Sequence, residues 1–168
     1  MTTHKILCPL DFSSGSEHAL RLAIRLAREQ ESELVVMHIW YVPSTGLGDF
    51  PFPRSIAERI VADASRSLQA AATEARAAGV TEVTSRLVQG VPGWTIVDAV
   101  NKDPAIDLVV IGTHGRTGLR RVLVGSVAEY VVRHAPCAVV VARRDREEHV
   151  ASQCAAETVS GARSSYDA

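Results

Sequence analysis

The chain has 168 residues, which is enough for one ordinary domain and too few for two. Eighteen basic and nineteen acidic side chains give a net charge of −1, which excludes the basic footprint of a duplex nucleic-acid binder. No apolar run approaches the roughly 20 residues that span a bilayer, and the first residues lack the pattern of a signal peptide. Three widely spaced cysteines indicate neither a disulfide framework nor a zinc site. We therefore expect a cytoplasmic protein that binds neither nucleic acid nor membrane.

Strand and helix patterns alternate along the chain. Short apolar runs predict buried strands, and one alternating run predicts a less buried strand at a sheet edge. In chain order these strands cover 5–9, 33–41, 82–89 (the alternating run), 107–111 and 137–142. Apolar residues three and four apart predict the helices between them. These helices cover 16–27, 56–78, 94–100 and 125–134.

The longest helix is predicted to bury a single stripe and to end before a glycine in the C′ position, Gly79. The stripe consists of Ile56, Ile60, Ala64, Leu68, Ala71, Ala75 and Ala78. After Arg144 the chain becomes polar, with five acidic side chains and only two large aliphatic ones, so residues 145–168 are expected to form a tail outside the 1–144 domain.

This order of elements predicts a parallel sheet with helices on both faces, an α/β three-layer sandwich. Because crossovers are right-handed, every loop from a strand to a helix lies at the carboxyl edge of the sheet. Asp11 and residues 42–54, 90–93 and 112–125 then share the edge at which such folds bind ligands. With three prolines and two glycines, residues 42–54 are expected to form a mobile flap over the ligand.

The loop after the 107–111 strand has the features of a phosphate cradle. Gly112 and Gly115 let the backbone take an unusual φ and approach a ligand, and Gly125 and Ser126 stand at a helix amino terminus that favours an anion. An ordinary loop with turn glycines and a serine N-cap is the alternative. Positive charge comes from His114, Arg116, Arg120 and Arg121, of which Arg116 is favoured as the phosphate contact because it follows Gly115.

The spacing of these residues is specific. The chain has no Walker A loop, and Gly46 and Gly48 are followed by Pro51 where a dinucleotide fingerprint needs its third glycine. The pattern G-x2-G-x9-G-[ST] is that of the nucleotide-binding motif of the universal stress protein family. The chain also resembles this family over 5–13, at His38-Ile39 and over 107–115, and the resemblance covers residues 3–144.

The resemblance implies a five-stranded parallel sheet of order 3-2-1-4-5, as in adenine nucleotide alpha hydrolase-like folds, and ATP binding with or without Mg²⁺ or Mn²⁺. It places Asp11 and Ile39 beside the adenosine, with Ile39 at the adenine. The phosphates would lie on Gly112, Gly115, Gly125 and Ser126. The implied nucleotide-binding set is completed by Pro9, Leu10, Thr113, His114, Arg116 and Val127.

Other residues near this edge have simpler interpretations. Asp11 contacts the ligand or only forms a turn or N-cap ahead of the first helix. His38, inside an apolar strand, is expected to be a satisfied core histidine, and Cys8 a small buried hydrophobe. Ser126 lacks a nucleophile elbow and spaced partners, so a hydrolase triad is not expected.

We expect an ATP-binding regulatory protein of the stress response, whose nucleotide state alters a dimer or a partner surface. The alternative is a slow ATPase or phosphotransferase that uses Asp11 with a divalent cation. A third possibility is a dimeric interaction protein whose cleft stays empty. The resemblance implies a homodimer through the last strand, Cys137 to Ala142. Independently, an apolar strand at a sheet edge is an aggregation hazard, and the same strand of a second molecule is the simplest cover for it. The alternative is a monomer in which the tail after Arg144 folds back and shields that edge.

Overall fold

The computed structural model describes residues 4–41, 54–113 and 125–143. The expected flap at 42–54, of which only Arg54 is described, and the tail at 145–168 lie outside these ranges, as do His114, Gly115, Arg116, Arg120 and Arg121. Five strands alternate with four helices in the described ranges. The strands are β1 (Lys5–Pro9), β2 (Glu33–Trp40), β3 (Val83–Gln89), β4 (Ile106–Gly112) and β5 (Ala138–Ala142). The helices are α1 (Ser14–Glu29), α2 (Arg54–Ala77), α3 (Pro92–Lys102) and α4 (Ser126–His134).

The strands form one parallel sheet of order β3-β2-β1-β4-β5, which confirms the predicted fold class. Leu7 in β1 pairs with Val35 in β2 on one side and with Val109 in β4 on the other, so β1 is central. β3 lies at an edge and is only partly buried, as its alternating sequence predicts. None of the described helices is long and apolar enough to cross a membrane.

Alternate residues of the inner strands build two aliphatic clusters, one on each face of the sheet. Ile6 and Val36 pack with α1 and α2, whereas Leu7 and Val109 pack with α3 and α4. Cys8 is fully buried in the first cluster, and burial raises the pKa of its thiol to about 12. The interpretation of Cys8 as a small core hydrophobe is confirmed.

Helix α2 is buried only over its second half. Ala64 is the first buried member of the predicted stripe, whereas Ile56 is 47% exposed and Ile60 is 39% exposed. The expected stripe is therefore wrong at its amino-terminal end, and wrong at Ala78, which is exposed. The 24 residues of α2 span about 36 Å, and the eight residues of β2 span about 26 Å. Because α2 runs back from the carboxyl edge, its first turns extend past the strands there.

The carboxyl end of α2 is closed as predicted. Gly79 has a φ of +98°, a conformation that glycine adopts without a Cβ penalty. Its N–H donates to the carbonyl of Arg76 at 3.0 Å, and the N–H of Val80 donates to that of Ala75 at 3.1 Å. These two bonds are those of a Schellman motif.

The amino edge of the sheet carries a network of paired charges. Lys5 Nζ lies 3.1 Å from Asp103 Oδ2 and 3.4 Å from Glu33 Oε2, and Arg86 Nη2 lies 3.2 Å from the same Asp103 oxygen. Although partial burial acts to raise it, the hydrogen bonds from Lys5 and Arg86 hold the pKa of the Asp103 carboxyl below its ordinary value. The bond to Asp103 raises the pKa of the Lys5 amine against the opposing effect of burial. Thr84 Oγ1 donates to Glu33 Oε1 at 2.6 Å.

Candidate functional site

A cleft of about 740 Å³ opens at the carboxyl edge, beyond Leu7 and Val109, the last paired residues of the neighbouring strands β1 and β4. This is the switch point of the sheet, because the chain leaves β1 and β4 in opposite directions across it. All the predicted site residues that lie in the described ranges line the cleft together. They are Pro9, Leu10, Asp11, Ile39, Gly112, Thr113, Gly125, Ser126 and Val127.

The turn between β1 and α1 places Asp11 on the cleft wall. Asp11 Oδ1 accepts a hydrogen bond from Ser13 N at 3.0 Å and from Ser13 Oγ at 2.6 Å. The N-cap of α1 is Ser13, whose Oγ accepts from Ser16 N at 3.3 Å. Asp11 therefore has the turn-forming role that was one of its two interpretations, while its contact with a ligand stays a prediction.

His38 is hydrogen-bonded as expected, but it lies on the cleft wall rather than deep in the core. Its Nδ1 donates to the carbonyl oxygen of Leu10 at 2.6 Å. Its ring stacks on Phe12, with centroids 4.6 Å apart. Phe12 has a φ of +60°, which a bulky L-residue rarely adopts. A conformation of this kind persists only where its surroundings hold it, and such positions cluster at functional sites.

Gly112 is needed for a different reason from the predicted one. Its φ is not positive, so the expectation of an unusual φ is wrong. A Cβ at this position would lie 2.6 Å from the carbonyl oxygen of Gly15 and 2.7 Å from its carbonyl carbon. The first turn of α1 thus passes directly against the end of β4, and only a glycine leaves room for it.

The amino terminus of α4 forms the opposite wall. The helix begins at Ser126 with Gly125 as its N-cap, so the alternative of a serine N-cap is wrong. Because glycine has no side chain, no N-cap side chain accepts a hydrogen bond from the N–H groups of the first turn. Since the first N–H groups of a helix have no partner within it, this turn favours an anion. The N–H of Gly125 donates to the carbonyl of Thr113 at 2.6 Å, which holds the two ends of the glycine-rich loop together.

Sequence reasoning missed the wall that α2 contributes. The exposed Ile60 and the exposed Asp63 line the cleft beside Tyr41, and Asp63 forms an ion pair with Arg66. Further lining residues absent from the prediction are Phe12, Ser16, His38, Trp40, Ala64, Ser67, Pro92, Ile96, Ile111 and Ala128. The sequence signal that could have located this wall is the length of the α2 helical pattern. A helix of that length is longer than the strands on which it packs, so its first turns extend beyond them. Within the described ranges, no three or more His, Cys, Asp or Glu side chains are grouped so as to hold a metal ion.

The sequence profile of the Universal stress protein family matches residues 2–143. The chain belongs to the universal stress protein family. It is 35% identical over 145 residues to a universal stress protein of Methanocaldococcus jannaschii, covering 86% of this chain and 84% of the relative. Among solved universal stress proteins it is similar to UspA from Lactobacillus plantarum, with a TM-score of 0.73, 27% identity, and coverage of 83% and 97% of the two chains.

A second solved structure bears on the cleft. The universal stress protein of Archaeoglobus fulgidus in complex with dAMP matches with a TM-score of 0.60 and 26% identity, over 84% of this chain and 99% of that one. The family and the fold are thus the same in this chain and in a protein that binds an adenine nucleotide.

Proposed function

We propose that the protein binds ATP in the carboxyl-edge cleft and acts in the cytoplasm as a nucleotide-dependent regulator of the stress response. The convergence of Asp11, Ile39, Gly112 and the first turn of α4 on one cleft is the observation that carries this proposal. The dAMP complex of the Archaeoglobus fulgidus relative supports an adenine nucleotide as the ligand.

The described residues fit such a ligand. A volume of about 740 Å³ lies in the range of small-molecule sites. Ile39 and Ile60 give the cleft apolar surface of the kind that packs against a base, and the amides of Ser126 and Val127 suit phosphate oxygens. Asp11 provides an acceptor for ribose hydroxyls. Gly115 belongs to the proposed phosphate site through the sequence motif, and Arg116 belongs to it as the basic residue that directly follows Gly115.

Mass spectrometry of the purified, denatured protein tests the ligand. We expect co-purified ATP, ADP or AMP, and micromolar affinity when ATP is titrated calorimetrically into the stripped protein. Gly115→Val should abolish this binding while the circular dichroism spectrum stays native, because a branched Cβ fills the space that the phosphates need. Unchanged affinity in this variant would remove the phosphate-cradle assignment.

Slow ATP hydrolysis or phosphotransfer is the second candidate function, and Asp63 favours it. This carboxylate lines the same cleft as Asp11 but comes from α2, so two carboxylates border the space in which a divalent cation would bind. ADP release from ATP with Mg²⁺ or with Mn²⁺ measures the activity. We expect Asp11→Asn and Asp63→Asn each to lower any turnover, and wild-type turnover at background level would reject the enzyme.

We further propose a homodimer through β5. This strand lies at an edge of the sheet, and Val139, Val140 and Val141 are each half-buried. Two copies related by a two-fold axis would cover each other's edge. Val140→Lys should give monomers or aggregates in sedimentation while ATP still binds. The contrary outcome is a wild-type chain that sediments as a monomer and dimerises only after residues 145–168 are removed. That result would show that the tail, rather than a second molecule, covers the β5 edge.

A further inference from the structure

The residue before Asp11 is bonded to β2 through both of its backbone polar groups. Leu10 N donates to the carbonyl of Met37 at 2.7 Å, and Leu10 O accepts from Nδ1 of His38 at 2.6 Å. A carbonyl oxygen can only accept, so Nδ1 of His38 carries the proton of this bond. The second bond is made by a side chain and therefore depends on which residue occupies position 38.

The residue after Asp11 contacts the same imidazole. Phe12 stacks on His38 with an interplanar angle of 28°, and this contact holds a residue whose φ is +60°. One side chain from β2 therefore contacts both neighbours of Asp11 in the chain. Leu10 is 5% exposed, so removal of His38 would leave its carbonyl without a partner where little water reaches it.

We propose that His38 is a positioning residue for the nucleotide, because it fixes the turn between β1 and α1 in the conformation that places Asp11 on the cleft wall. This inference rests on the proposed nucleotide binding and assigns His38 no contact with the nucleotide. Without the bond to Leu10 and the stack on Phe12, the strained turn relaxes and Asp11 moves away from its place in the cleft.

Two substitutions separate this role from simple packing. His38→Leu removes the donor and the aromatic ring, whereas His38→Asn keeps an N–H donor close to the position of Nδ1. In calorimetric titration with ATP, we expect His38→Leu to weaken affinity about tenfold, the size of one lost hydrogen bond. His38→Asn should restore it to within about threefold of wild type. Equal affinity of His38→Leu and wild type would overturn the inference.

His134 provides a matched control. Its Nδ1 lies 2.8 Å from the carbonyl oxygen of Tyr130, and its ring stacks on Tyr130 with centroids 4.2 Å apart. The kinds of contact are the same as at His38, but His134 is exposed, lies at the carboxyl end of α4 and does not line the cleft. His134→Leu should leave the ATP affinity unchanged. A loss equal to that of His38→Leu would show a general effect of stability and overturn the positioning role.

A double-mutant cycle tests whether His38 acts through Asp11. In an Asp11→Ala background, His38→Leu should change the ATP affinity by less than about twofold, since the group that it positions is gone. Fully multiplicative effects of the two substitutions would overturn the inference. No ATP binding by the wild-type chain would reject the proposed function together with it, whereas binding with multiplicative effects rejects the inference alone.

Nitrogen NMR of the wild-type imidazoles gives a readout that needs neither a variant nor a nucleotide. We expect Nδ1 of the His38 ring to carry a proton. An unprotonated Nδ1 would overturn the inference, because Nδ1 could not then donate to Leu10.

Discussion

At the amino edge of the sheet, Lys5, Glu33, Arg86 and Asp103 are paired with one another, whereas at the carboxyl edge polar groups surround a cleft. The amino-edge charges satisfy each other within hydrogen-bond reach. At the carboxyl edge the first turn of α4 faces the cleft with a glycine as its N-cap. If the proposed function holds, one end of the sheet contributes to stability and the other to binding, so substitutions at the two ends should affect different measurements.

The largest effect is expected at Gly112, where a substitution should lower both the stability of the fold and the affinity for ATP. In Gly112→Ala the new Cβ would lie 2.6 Å from the carbonyl oxygen of Gly15, so relief of the contact requires a shift of the end of β4 or of the first turn of α1. We expect a loss of about 2–3 kcal/mol in the free energy of unfolding. The displaced first turn of α1 should also carry Asp11 away, so ATP affinity should fall by more than about tenfold.

Gly93→Ala is the matched control for this variant. Its Cβ would lie 2.9 Å from Cδ1, 3.1 Å from Cγ and 3.2 Å from Cβ of Tyr130, which are side-chain atoms, whereas the contact at Gly112 is with backbone. Urea unfolding should show a smaller loss than in Gly112→Ala, and ATP titration should show no change. Equal destabilisation of the two variants would contradict the account of Gly112 as a backbone contact.

Asp103→Asn should affect the amino edge alone. The substitution weakens two charge-assisted hydrogen bonds, and because the side chain is 22% exposed we expect a loss of only about 1 kcal/mol in unfolding free energy. ATP affinity should stay at the wild-type value, since Asp103 lies at the opposite end of the sheet from the cleft. A drop in affinity would show that the two edges are coupled.

The same pair of proteins gives a pH test. The pKa of Asp103 is lower in the folded chain than in the unfolded one, so its stabilisation exists above the ordinary aspartate pKa and disappears as the pH falls through the folded value. We expect the stability difference between wild type and Asp103→Asn to be present at pH 7 and to shrink below about pH 4. Lys5, whose pKa is raised, contributes below the ordinary lysine value and loses its contribution only in alkali. A difference that stays constant from pH 7 to pH 3 would contradict the assignment.

The smallest effect on stability is expected at Ile60. Because this side chain is 39% exposed, Ile60→Ser should change the unfolding free energy by no more than about 0.5 kcal/mol. It should still weaken ATP binding about threefold, through lost apolar contact with the ligand. Ile56→Ser, on the same helix but not lining the cleft, serves as the control.

The sequence predicted the parts of the fold that depend on local periodicity. Apolar runs located the strands, the weaker run at β3 indicated its place at an edge, and Gly79 marked the end of α2. Periodicity also shows which face of α2 is apolar. It does not show where the surface beneath that face ends, so Ile60 was assigned to the core although it lines the cleft.

The predicted site residues came from a motif, and the motif does not reveal why each residue is needed. Gly112 is required by the carbonyl of Gly15, a contact between segments far apart in the chain that no local pattern encodes. The bond from His38 to Leu10 is equally non-local. Such contacts depend on how β1, β2 and β4 align, and this alignment exists only after the sheet has formed.

Because only one of the two tryptophans lines the cleft, intrinsic tryptophan fluorescence can report on ligand binding there. Trp40 lies half-buried on the cleft wall, whereas Trp94 is 61% exposed on α3 and does not line the cleft. In Trp94→Phe, the remaining indole fluorescence would come entirely from the cleft. Its emission would report ligand binding and release in real time without an attached dye. Trp40→Phe, whose remaining tryptophan lies outside the cleft, would be the control that does not respond to the ligand.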